Sequence, residues 1–253
     1  MSFKDEVKSY RTESLPTPKE LVEWSFKSLG YHESDESYFA TNASTIVTAL
    51  REKSWKHYKR LEKEFSRVMI QSLHREKKQA VDEFIFDNIE ELDWLFKSNT
   101  NSRRSRAGKE FELIIEKVLE GAEIPYDSQS SIGAGVFADA KLAKIVDVVI
   151  PNAIEYMDNK RGSVLISAKT TLRERWQEVG DEMSRTKASE MYLATVDEKI
   201  SVNVIDKLTE NNIYLVTTRD IKVKNYESEH RIITFEQMLQ EIKDKLVKYG
   251  NSR

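Results

Sequence analysis

The chain contains no cysteine, so disulfides, thiolate zinc sites and cysteine nucleophiles are excluded, and a reducing compartment suits it. Histidine is nearly as scarce. His32, His57, His74 and His230 are widely scattered and none forms an i, i+4 pair, which argues against a histidine-based zinc site. Any metal is left to oxygen ligands, and carboxylates suit magnesium. Neither sign of charge dominates: 40 basic residues stand against 43 acidic ones, for a net charge of −3. There is thus no global pull toward nucleic acid, and any DNA contact must come from a local patch. No apolar run approaches the length of a membrane span, and the opening stretch MSFKDEVKSYR has no apolar h-region, so the protein is expected to be cytoplasmic.

What is present suffices for a core, with 39% hydrophobic residues in a 253-residue chain, enough for one large domain or two modest ones. The first hundred residues are almost free of glycine and carry helical periodicity. Thr17-Pro18-Lys19-Glu20 reads as a helix cap with proline in the first turn, followed by Leu21, Trp24, Ser25 and Leu29 at helical spacing. Residues 43–96 place Leu50, Trp55, Tyr58, Leu61, Phe65, Val68, Met69 and Leu73 at helical intervals, which predicts two or more bundled helices. Trp24, Trp55 and Trp94 fall in this half, where aromatics at helical spacing belong more often to a core than to a base-stacking platform. Residues 97–102 are polar and unpatterned and mark a candidate boundary. Beyond them glycine appears and short β-branched runs at 145–150, 164–169, 191–195 and 213–217 alternate with helical stretches near 111–119, 174–187, 202–208 and 235–247. The expectation is a helical N-terminal domain over 1–100 and an α/β domain over 101–253, a mixed central sheet flanked by helices.

Asp147 is the one acid within an apolar run, and a carboxylate buried in a strand is costly unless paired or bound to metal. Its plain reading is a strand-end aspartate facing solvent or a lysine. Lys169 ends the next strand in the same way. Together, on adjacent strands, they can hold a divalent cation on the acid while the lysine orients an attacking water or steadies charge on a phosphorane. A second metal ligand is missing from the strand, where Ser167 stands two positions before the lysine. The following helix offers one. Leu172, Trp176, Val179 and Met183 form an apolar stripe, and Arg175, Glu178 and Glu182 recur at i, i+3 and i+7 on another face, so Glu182 can point back toward the site. Arginine can bind guanine O6 and N7 together and glutamate can accept from cytosine N4, so Arg173-Glu174-Arg175 at a helix start fits G·C pairs in a major groove. Taken singly, such charges are ordinary solvated helix residues. The densest basic cluster, Arg103, Arg104, Arg106 and Lys109, suits phosphate contacts or a basic linker opening a helix, and Glu110 and Glu112 follow it.

The block 167–182, with Glu182 thirteen positions after Lys169, resembles the type II restriction endonucleases that recognise CCGG or CCNGG cores. These are a branch of the PD-(D/E)XK nucleases in which the last acidic ligand has moved from strand to helix. The resemblance covers residues 102–220 and implies a restriction-endonuclease-like fold that hydrolyses DNA with Mg2+. It implies that Asp147 and Glu182 bind the metal, although Val146 replaces the family's proline. Lys169 is similar to the catalytic lysine, Ser167 fills the place of the absent acid, and Glu112 looks like an auxiliary acid, with Glu110 the weaker candidate. Arg173, Glu174 and Arg175 resemble the base-reading triplet. Residues 170–176 are closest to enzymes reading CCNGG or CCWGG, whereas Ser167 leans toward an uninterrupted CCGG, which is the site expected here. A palindromic target requires twofold symmetry, hence double-stranded DNA bound by a homodimer or a tetramer, with the N-terminal helices as candidates for subunit and flank contacts. Two rivals stand beside this reading: a repair or recombination nuclease of the same fold that cuts by DNA structure, and a non-catalytic DNA-binding protein in which Asp147, Lys169 and Glu182 form a structural ion-pair cluster.

Overall fold

The structure, a computed structural model, describes residues 2–73, 80–132, 137, 142, 146–172, 183, 186 and 188–250. The chain divides into two compact units, one of Met1–Leu29 with Leu50–Glu110, the other of Gly30–Ala49 with Phe111–Arg253.

The first unit is helical. It contains α1 (Phe3–Ser14), α2 (Pro18–Ser28), α3 (Glu36–Leu73) from Leu50 onward, α4 (Val81–Asp87), and α5 (Ile89–Gly121) up to Glu110. α2 starts where its sequence predicts: the Glu20 N–H donates to the Thr17 hydroxyl, and the Thr17 N–H donates to the Glu20 carboxylate at 2.7 Å. Pro18 occupies the first turn, where a missing N–H costs nothing. Leu21 then joins Val7, Leu15, Tyr58, Phe65, Met69 and Leu95 in the unit's core, with Trp55 and Trp94 packed on its border. Trp24 stays outside that cluster, 41% exposed and stacked on His57 at 4.0 Å.

Residues 97–102, expected as a boundary, are helical and lie inside α5. Long-range partners explain why. Arg11 donates to the Ser98 hydroxyl at 2.8 Å and to Asn99 Oδ1 at 2.6 Å, and the Asn99 amide donates to Ser66 Oγ at 3.0 Å. Asn and Ser compete for backbone groups and weaken an isolated helix, but side chains engaged by a neighbouring helix no longer do so. The basic cluster therefore lies within a helix and does not open one. Arg103 pairs with the buried Glu62 at 2.6 Å, and Arg106 donates to the Pro16 carbonyl and lies over the Tyr58 ring.

The second unit is built on a mixed six-stranded sheet in the order β1 (Asp127–Ser128), β2 (Val148–Ile150), β3 (Val164–Lys169), β4 (Met191–Thr195), β5 (Ile213–Thr217), β6 (Ile232–Thr234). β1, β2 and β3 pair antiparallel, and β3 to β6 run parallel. This is the mixed α/β layout that the alternating runs predict. Between the strands lie α6 (Gln129–Ile132), α7 (Ala153–Asp158), α8 (Val202–Glu210) and α9 (Arg219–Asn225), and α10 (Phe235–Gly250) follows β6. β3 and β4 are almost wholly buried because helices cover both faces. Ile205 and Leu208 of α8 join Leu165, Leu193 and Leu215 on one face. On the other face Tyr192 donates to Glu241 of α10 at 2.6 Å. Of the helix expected over 174–187, only Met183 and Thr186 are described, and both are helical.

Gly121, the last residue of α5, carries a packing constraint. A Cβ there would lie 2.3 Å from the Phe39 ring, which is itself buried. Gly121→Ala is therefore expected to destabilise the protein by about 1–3 kcal/mol through overpacking, despite alanine's better helix propensity. A urea melt showing equal or greater stability would refute this.

Candidate active site

Asp147 stands immediately before β2, and Lys169 is the last residue of β3. β2 and β3 pair with Val148 opposite Ile166, so one step outward Asp147 falls opposite Ser167, and its N–H donates to the Ile166 carbonyl at 3.0 Å. Side chains alternate along a strand, so Leu165, Ser167 and Lys169 share one face, the face on which Leu165 and Val149 meet the core. That face is apolar along the middle of β3 and polar at its C-terminal end. Cross-strand register thus brings together two charges that lie 22 positions apart in the chain.

The geometry is close. Lys169 Nζ lies 3.7 Å from Asp147 Oδ2, and the same oxygen accepts the Ala168 N–H at 2.7 Å. The two side chains are only 19% and 17% exposed. A backbone donor thus fixes the carboxylate, and the ammonium is held beside it with little competing water, so the attraction exceeds that of a surface pair. Ser167 is fully buried, and among the described residues its Oγ has no hydrogen-bond partner. A polar atom left unmatched beside the carboxylate marks a place built for more than packing. Oxygen donors such as these fit a small hard divalent cation.

Glu182, Arg173, Glu174 and Arg175 lie outside the described residues. Among the described residues no group of three or more carboxylates or histidines could hold a metal, and the described part of the site is Asp147, Ser167 and Lys169. Glu112 lies in α5 in the same unit, half-buried. Of the basic cluster, Arg104 is exposed, Lys109 is half-buried, and Arg103 and Arg106 have the internal partners given above.

Glu110 is 4% exposed, and among the described residues its Oε1 accepts no hydrogen bond. Burial pushes its carboxyl up to about 7, against the opposing pull of Arg106 and Arg51. The folded value lies above the unfolded one, so the folded state binds the extra proton between about 4.5 and 7, and stability falls as pH rises through that window. Glu110→Gln is expected to remove this slope and to stabilise the protein at pH 8 by on the order of 2 kcal/mol. Denaturant melts at pH 5 and pH 8 check this, and an unchanged slope would sink it.

The sequence reading passed over Asp197, two residues beyond β4. Its Oδ2 accepts the Leu172 N–H at 2.9 Å, which places a second described carboxylate next to the chain leaving Lys169. The available signal was an acid just past an apolar strand, the same pattern that singled out Asp147.

Comparison with known proteins bears on what this sheet end does. The family model described as EcoRII C terminal matches residues 60–239. The type II restriction enzyme SsoII of Shigella sonnei is 42% identical over 256 residues, covering 98% of this chain and 84% of the relative. The type II restriction enzyme EcoRII of Escherichia coli is 26% identical over 142 residues, covering 55% of this chain and 33% of that protein. Among solved structures, metal-depleted Ecl18kI in complex with uncleaved DNA superposes with a TM-score of 0.90 at 41% identity, over 98% of this chain and 85% of that one. The restriction endonuclease PspGI in its substrate DNA complex shares the fold, with a TM-score of 0.70 at 20% identity over 94% and 95% of the two chains. An apolar sheet that ends in a paired carboxylate and lysine, within a chain so similar to restriction enzymes along nearly its whole length, makes this protein a member of the EcoRII C-terminal family and a type II restriction endonuclease.

Proposed function

We propose that the protein cleaves both strands of a palindromic DNA site with CC and GG half-sites, in a reaction that depends on Mg2+. The observation that carries this reading is the Lys169–Asp147 pair at the end of β3, fixed by the Ala168 N–H. Asp147, with Glu182, would hold the cation, whose chemistry is to lower the pKa of bound water and to offset charge on the phosphoryl oxygens. The chain supplies the rest. Lys169 brings a proton-bearing ammonium to the scissile phosphate, and the Ala168 N–H keeps Asp147 aimed. Glu112 would act as the auxiliary acid.

Arg173, Glu174 and Arg175 would read the half-site, and Arg104 and Lys109 would contact phosphates. The core of the site is CCNGG in this proposal. Ser167 alone favours an uninterrupted CCGG, whereas the longer stretch 170–176 is closest to readers of the interrupted core. A palindrome calls for two symmetric copies of the reading triplet, hence at least a homodimer, with helices of residues 1–100 as contacts between subunits.

The test is digestion of unmethylated phage DNA in Mg2+ with sequencing of the fragment ends. Discrete ends at CCNGG, dependent on the cation, are expected. Ends at CCGG would overturn the interrupted core, and ends at random positions would overturn base reading altogether.

A further inference from the structure

Lys169 is separated from Arg173 by only Thr170, Thr171 and Leu172. The group that cuts and the group proposed to read the bases are therefore joined by three residues, and whatever fixes those residues sets the distance between chemistry and recognition. Leu172 is fixed twice. Its side chain is buried, 2% exposed, in the core cluster with Leu193 and Leu215, and its N–H donates to Asp197.

Asp197 is itself held in place. β3 and β4 run parallel with Lys169 beside Thr195. The Thr195 hydroxyl accepts the Asp197 N–H at 3.2 Å, and Asp197 Oδ1 accepts the Lys199 N–H at 3.1 Å. Just beyond, the Ile200 N–H donates to the Tyr226 hydroxyl at 2.7 Å. One carboxylate oxygen thus accepts the Lys199 N–H within the turn, and the other accepts an N–H from the chain that follows β3. A side chain that merely ended β4 would have no need to reach the chain beyond β3. A carboxylate accepting two backbone N–H groups makes charge-assisted bonds, stronger than neutral ones and more exact in direction.

We infer that Asp197 is a positioning residue for the cleavage reaction: by holding the Leu172 N–H it fixes the chain between Lys169 and Arg173, so that base reading and phosphodiester attack stay in register. The inference rests on the proposed base-reading role of Arg173 to Arg175. A displacement of the order of 1 Å at a positioned group can lower a rate about 100-fold. What the Leu172 N–H requires is a side-chain oxygen. Asparagine can still accept the Leu172 N–H through its side-chain oxygen, whereas alanine accepts nothing.

The experiment uses the full-length protein and duplexes carrying the site defined by the wild-type fragment ends, beside duplexes with one base pair of that site changed. Asp197→Ala, Asp197→Asn and Arg173→Ala are compared with wild type in single-turnover cleavage, in binding without divalent cation, and in thermal melts. Asp197→Ala is expected to cut the cognate duplex about 100-fold more slowly and to lose discrimination against the changed duplex, with binding to unrelated DNA unaltered. Asp197→Asn is expected to recover most of both. The inference is overturned if Asp197→Ala keeps wild-type rate and discrimination. It is equally overturned if Asp197→Asn is as impaired as Asp197→Ala, and that comparison decides the matter should the alanine variant fail to fold. Arg173→Ala separates the two readings: unimpaired discrimination there removes base reading from Arg173, whereas impaired discrimination there with none in Asp197→Ala removes only the role of Asp197.

Discussion

Lys169→Ala should yield a protein that folds and binds DNA but cleaves it roughly 1,000-fold more slowly, the loss typical when a positioned electrostatic group is removed from a site of developing charge. Folding should survive because Asp147 keeps its Ala168 N–H at 2.7 Å, and because Lys169 occupies the open end of β3 and takes no part in the core. Asp147→Ala should slow cleavage at least as much, with a different accompaniment. It removes the carboxylate that the Ala168 N–H and the Lys169 ammonium both address, so a backbone donor and a poorly solvated charge lose their partner together. Asp147→Ala is thus expected to melt at a lower temperature than Lys169→Ala. Single-turnover cleavage and thermal melts of the two variants check this. Cleavage by Lys169→Ala at close to the wild-type rate would remove the lysine from the reaction.

How much of this was legible in the sequence depended on where the physical cause lay. β3, β4 and β5 appear as apolar, β-branched runs because both faces of those strands are buried, apart from the exposed Tyr214 of β5, so burial itself wrote the pattern. Asp147 and Lys169 were legible for the complementary reason: a charge at the end of such a run is exceptional. β1 and β6, two and three residues long, are too short for any periodicity and exist because a neighbouring strand pairs with them. Residues 97–102 misled because their helical state comes from Arg11 and Ser66, far away in sequence, and local composition carries no trace of those partners. Asp197 was hidden by the same kind of distance, since the role inferred for it rests on a hydrogen bond from Leu172, 25 positions earlier.

Arg173→Ala and Arg175→Ala should relax sequence discrimination, whereas Arg104→Ala should weaken binding without touching it. A bidentate arginine on guanine O6 and N7 contributes about 1–3 kcal/mol of discrimination, so each reader removed should narrow the gap between cognate and near-cognate duplexes by roughly 5- to 150-fold. A phosphate contact carries no sequence information. Arg104, exposed on α5, should upon removal weaken binding to all duplexes alike and lower the slope of log K against log salt concentration by about 1. The contrast matters in a chain of net charge −3, where no overall field draws DNA in and local contacts must supply both affinity and register. Binding measured across a salt series, on the cognate duplex and on one with a single changed base pair, separates the two roles. Equal losses on both duplexes for Arg173→Ala, with a reduced salt slope, would make it a phosphate contact and move base reading elsewhere in the chain.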